Sequence, residues 1–62
     1  MKDVNELWTV HEVATYLRVP VATIYQWRHR RCGPPGHRVG RYVRFDPDEV
    51  RTWFATRDDG VA

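Results

Sequence analysis

The chain has 62 residues, ten basic and eight acidic, a formal net charge of +2 and one cysteine. Such a length supports a single domain with a small core, one cysteine excludes an internal disulfide or a metal site of paired thiolates, and no apolar run approaches the roughly 20 residues of a membrane span. The opening MKDVNELW is too polar for a signal peptide, so the expectation is one cytoplasmic domain over 1–62, ordered over about 6–56, with no membrane partner.

The charges are unevenly laid out. Residues 1–17 set Lys2 against Asp3, Glu6 and Glu12, and residues 45–62 set Arg51 and Arg57 against Asp46, Asp48, Glu49, Asp58 and Asp59. Between them, residues 18–44 carry Arg18, Arg28, Arg30, Arg31, Arg38, Arg41 and Arg44 with no acid at all. A scattered set of lysines would read as a solvated face. Nine of the ten basic residues are arginine, whose planar fork suits phosphate oxygens and guanine edges better than an ammonium does, so nucleic acid is the leading partner.

The first helix is announced by Thr9-Val10-His11-Glu12, a capping box with Trp8 placed to staple over Val13. Val10, Val13, Ala14 and Leu17 form one apolar stripe, and the helix should end near Leu17 or Arg18. His11 lies off the stripe and reads as solvent-facing. Pro20 ends that helix and is tolerated at the start of another, which runs from about Val21 to Arg30. Ile24 and Trp27 mark its core side, flanked by Val21 and the stem of Arg28 or Arg31. Ala22, Tyr25, Gln26 and His29 mark its other side at i, i+3, i+4 and i+7. Two helices joined by about three residues make a helix-turn-helix, whose second helix reads base edges in the major groove.

CGPPG, at 32–36, forces a connecting turn, and Cys32 within it reads as a bystander. HRVGRYVRF then reads as a hairpin turning at Gly40. A two-residue turn, Gly40-Arg41, would set Val39 opposite Tyr42 and leave Val43 and Phe45 on the other face. A three-residue turn, Gly40-Arg41-Tyr42, would set Val39 opposite Val43 and His37 opposite Phe45, gathering the apolar residues on one face. The second is the preferred expectation, with Arg38 and Arg44 together on the outer face and Arg41 at the tip. Asp46-Pro47-Asp48-Glu49 opens a third helix with a capping aspartate, a proline at its first position and a glutamate three residues after the cap. Val50, Trp53 and Phe54 are expected to pack inward from it, and the tail ATRDDGVA to fray. The fold class is mainly α with a small β-hairpin, a winged helix-turn-helix.

In this order and spacing, TVHEVATYLRVPVATIYQW followed by HRVGRYVRFDPDEVRTWF resembles the small winged-helix DNA-binding domains of phage excisionases and of mercury-resistance-regulator (MerR) type proteins. The resemblance runs from about Leu7 to Phe54. It implies that the second helix enters the major groove and the wing lies along an adjacent minor groove or its phosphates. Carried over, Ala22, Thr23, Tyr25, Gln26 and His29 face the major groove, with Gln26 able to pair bidentately with adenine. Arg28, Arg30 and Arg31 lie near phosphates, and Arg38, Arg41 and Arg44 serve the wing. Pro20 stands where relatives often have a Ser or Thr cap, and Val21 and Ala22 stand where they often have polar residues, so the start of the reading helix offers little beyond contact with thymine methyls.

The resemblance implies an excisionase-like recombination directionality factor that binds and bends double-stranded DNA beside an attachment site, with an integrase as partner and self-association in tandem on the DNA. The alternative is a small MerR-like transcriptional regulator. The fuller proteins of that type continue into a long dimerisation helix, and the end of this chain within roughly two turns of Phe54 favours the architectural role. An alternative of another class is a protein-interaction module with the tryptophans exposed, whereas Trp8, Trp27 and Trp53 fall on expected core faces. The chain has no serine, no Cys and His pair at nucleophile spacing and no glycine-rich phosphate loop. No enzymatic activity, cofactor, metal or small-molecule substrate is expected.

Overall fold

A computed structural model describes residues 6–57. The elements are α1 (Val10–Leu17), α2 (Val21–His29), β1 (His37–Val39), β2 (Tyr42–Arg44) and α3 (Pro47–Ala55). Most of the expected tail lies outside the described residues.

The capping box forms as the sequence requires: the Glu12 amide donates to Thr9 Oγ1 at 3.2 Å, and the Thr9 amide donates to Glu12 Oε1 at 2.8 Å. At the other end Arg18 adopts a left-handed conformation (φ 59°, ψ 44°), and its amide turns back onto the carbonyls of Ala14 and Thr15. The Val19 amide also returns to Ala14 at 3.0 Å, which completes a Schellman stop with arginine in the glycine position. Val19 and Pro20 finish a three-residue turn, and α2 starts with no side-chain cap. It ends at His29, one residue before the expected Arg30.

Val10, Val13 and Ala14 of α1, Ile24 of α2, Phe45 after β2 and Val50 of α3 form the buried core. Trp8, Leu17, Val19, Val21, Trp27 and Val43 pack partly buried around it. The 32–36 loop closes over α2: the Cys32 amide donates to the Trp27 carbonyl at 2.8 Å. Gly33 (φ 86°) passes so close that a β-carbon there would sit 3.0 Å from the Trp27 ring.

The hairpin departs from the preferred register. It pairs His37 with Arg44, Arg38 with Val43 and Val39 with Tyr42, so the turn is the two-residue Gly40-Arg41. Gly40 has φ 63° while Arg41 is not among the positive-φ residues, the pattern of a turn whose twist matches that of its strands. The expectation assumed that one face of the wing would collect every apolar residue. Instead only the base of the hairpin is covered, and Val39 and Tyr42 at its outer end are exposed, so no burial drives the longer turn. Arg38 and Arg44 accordingly fall on opposite faces rather than together.

Past β2 the chain continues into an antiparallel bridge between Phe45 and Trp8, with amide-to-carbonyl bonds of 2.7 and 2.9 Å. The segment before α1 thus acts as a one-residue third strand that stitches the base of the wing to the first helix. α3 is capped by Asp46, whose Oδ1 accepts the Asp48 amide at 2.9 Å, with Pro47 at its start. Glu49 does not reach back to the cap: it meets His37 Nε2 at 2.8 Å and ties β1 to α3. Phe54 does not pack inward as expected. It is 57% exposed because Val50 already fills the α3 contact with the core and Trp53 turns to Trp27, with ring centroids 5.8 Å apart.

Candidate nucleic-acid interface

The arginine-rich middle of the sequence is spread over α2, the following loop and the wing. Among the described residues none of its seven arginines pairs with a carboxylate, whereas Arg51, outside it, bonds Asp48 at 3.2 Å. The fold gathers part of this set. A groove of about 410 Å³ lies between α2 and the wing, lined by Thr9, Val10 and His11 from the start of α1, Tyr25 from α2, and Arg38, Arg41, Tyr42, Val43 and Arg44 from the hairpin. Its charged lining residues are Arg38, Arg41 and Arg44, with no acid. Hydroxyls, imidazole and guanidinium N–H groups make it a donor-rich concavity, suited to an anion that presents several oxygens.

The predicted residues divide into four groups. Tyr25, Arg38, Arg41 and Arg44 all contribute to the lining of the groove, Arg38 and Arg44 from opposite faces of the hairpin. Arg44 is half-buried there, its guanidinium folded back along β2, donating to the Val43 carbonyl at 2.9 Å and lying over the Tyr42 ring at 5.1 Å. Ala22, Gln26 and His29 are exposed beside Tyr25 on the outer side of α2, in the phase that the pattern of apolar residues requires. Gln26 in particular is not covered by Trp27. Arg30 and Arg31 are exposed past the end of the helix. Arg31 takes a left-handed conformation at φ 60°.

Two predicted residues stand apart. Thr23 is only partly exposed, in the first turn of α2, with its amide on the Pro20 carbonyl at 3.0 Å. Arg28 is half-buried: its guanidinium lies over the Phe45 ring, 6.0 Å from the centroid, and against Gly36, where a β-carbon would run into it. The guanidinium is wedged between α2 and the root of the wing.

Thr9, His11 and Tyr42 were not singled out from the sequence as groove residues. The missing signal is the Trp8–Phe45 bridge, which draws the start of α1 alongside the wing. Nothing in the periodicity of either segment announces that pairing. Across α1 from the groove, Trp8, Tyr16 and Phe54 form an aromatic cluster, with Trp8 and Tyr16 centroids 5.1 Å apart and Tyr16 edge-on to Phe54 at 6.5 Å.

No group of three His, Cys, Asp or Glu among the described residues is placed to hold a metal ion, and no helix among them is long and apolar enough to cross a membrane. No curated protein and no solved structure gives a significant match to the chain. A family model described as a helix-turn-helix domain does match, over residues 9–58, a span that takes in both helices of the turn, the hairpin and α3. The chain therefore belongs to the helix-turn-helix domain family, in the winged, DNA-binding form.

Proposed function

We propose that this protein is a sequence-specific architectural DNA-binding protein of the excisionase kind, which bends DNA near an attachment site and steers an integrase toward excision. The observation that carries the DNA reading is the groove lined by Tyr25 of α2 and by Arg38, Arg41 and Arg44 of the wing, with no carboxylate in its lining. A duplex seated on this face would present base edges to the outer side of α2, where Ala22, Tyr25, Gln26 and His29 are exposed, and its backbone to the wing. Arg30 and Arg31 would follow the backbone past the end of the helix. The sequence resemblance to excisionases supports the finer role, including an integrase partner and side-by-side occupation of repeated sites.

Footprinting on the DNA that flanks the gene, followed by an excision reaction with purified integrase, tests this. The expected result is protection of one or more short repeats and excision that depends on the protein. Protection at a promoter with no effect on excision would move the assignment to a MerR-like regulator. On the footprinted site Gln26→Ala should lose roughly 1 to 3 kcal/mol of binding free energy, with little change on random duplex.

One observation favours a second reading, a protein-interaction module: Tyr16 and Phe54 are 43% and 57% exposed beside the half-buried Trp8. Competition by unrelated duplex DNA separates the two, since a protein partner held on that side of α1 would not be displaced.

A further inference from the structure

The groove contains a residue that the reading-helix and wing description leaves unused. His11 occupies the second position of α1, exposed, with no hydrogen-bond partner among the described residues. It is brought to the groove by the Trp8–Phe45 bridge, which fixes the start of α1 against the continuation of β2. There it shares the lining with Tyr25 of α2 and with Arg38, Arg41, Tyr42 and Arg44 of the wing. On its other side it faces Trp8, Thr15, Tyr16 and the Glu12 carboxylate, which is already engaged by the Thr9 amide.

We propose that His11 is a fourth cationic contact of the groove, donating to a DNA phosphate in its protonated form and making binding pH-dependent. The proposal rests on the DNA-binding reading above. Its physical basis is that a phosphate among these residues supplies the negative charge that an imidazolium in a groove lined by three arginines and no acid otherwise lacks. Seating the anion therefore favours protonation, and binding takes up protons. By linkage, affinity must then rise as the pH falls through the range in which histidine changes charge, about pH 5 to 8. Thr9, Tyr25 and Tyr42 bring hydroxyl groups to the same lining.

The other two histidines set the controls. His29 lies on the outer side of α2, and His37 is held by Glu49 at 2.8 Å. The test measures binding of a fluorescein-labelled mixed-sequence duplex at constant ionic strength, for the natural chain and for His11→Gln, His11→Arg, His29→Gln and His37→Gln, each verified as folded by circular dichroism. His11→Gln should weaken binding about two- to fivefold at the acid end, the range of an exposed ion pair, and leave the alkaline end unchanged. His11→Arg should hold the acid-end affinity across the whole range. A pH profile unchanged by His11→Gln, or one abolished by His29→Gln or His37→Gln instead, overturns the proposal while leaving the DNA reading intact. Absence of duplex binding by the natural chain at every pH overturns the DNA reading itself.

Discussion

Arg18 shows how a single residue carries two opposing demands. The stop after α1 needs a left-handed residue, and glycine occupies that place without steric cost. Arginine is used instead, at φ 59°. Arg18→Gly should raise stability by about 0.5 to 1 kcal/mol, because relief of backbone strain exceeds the entropy that glycine adds to the unfolded chain, an increase readable as a higher Tm. Arg41 sits at the opposite extreme, at the tip of the wing next to Gly40, around which there is open space. It bears no structural duty, so Arg41→Ala should leave Tm unchanged and lower the slope of log affinity against log salt by about one. A titration with an unchanged slope would take Arg41 out of the contact set. Arg28 belongs to neither case. The family resemblance implies a phosphate contact for it, and in the fold its guanidinium lies over Phe45, because the ring of a core residue and a glycine backbone offer a flat seat for a planar cation.

At the scale of elements, the wing is the most instructive part. Its two strands are three residues each, too few to stand alone. They are held at the base by the Phe45–Trp8 bridge and by the His37–Glu49 contact to α3, while Gly36 gives Arg28 and Phe45 room where β1 leaves the loop. Gly36→Ala would place a β-carbon 2.9 Å from the buried Phe45 ring, which cannot retreat. A loss of about 1 to 3 kcal/mol in stability is expected from such overpacking, together with weaker DNA binding from a displaced wing. Normal melting and normal affinity in that variant would mean that the loop adjusts freely. Helix starts and stops were legible in the sequence because capping is a local matter: Thr9 with Glu12, Asp46 with Pro47, and the proline after the first helix each act within a few residues. The hairpin register was not, since both turns satisfy local geometry and the choice between them depends on how much of the wing the rest of the molecule covers. Glu49 misled for a related reason, as a partner twelve residues away in sequence outcompeted the local cap.

At the scale of the whole molecule, stability rests on few side chains. Native domains gain about 0.05 to 0.15 kcal/mol per residue, and among the described residues Phe45, Ile24, Val13 and Val50 are the largest side chains that are wholly buried. Phe45→Ala, which costs about 3 to 5 kcal/mol in a buried site, should leave the chain largely unfolded at room temperature by circular dichroism. Trp53→Ala should be milder, because Trp53 is half-buried between the Trp27 ring and the Arg57 guanidinium at 4.5 Å. A milder melting defect for Phe45→Ala than for Trp53→Ala would invert this ordering. The apolar stripes of α1 and α2 announced most of this core. The inward placement of Phe54 failed because i, i+3, i+4 spacing marks a side of a helix without saying how wide the surface opposite it is. In the candidate interface, the outer side of α2 followed from helical phase alone. The participation of His11 and Tyr42 did not, since it depends on two segments more than thirty positions apart being paired.

The Trp8–Phe45 pairing also bears on how the domain can be cut. The family match opens at residue 9, so a fragment trimmed to the matched span would retain α1, α2, α3 and both hairpin strands. It would still forfeit the neighbour whose backbone closes the sheet. Amide exchange at Phe45 should quicken in that fragment, and its melting should lose sharpness, even though no part of the recognisable motif has been removed.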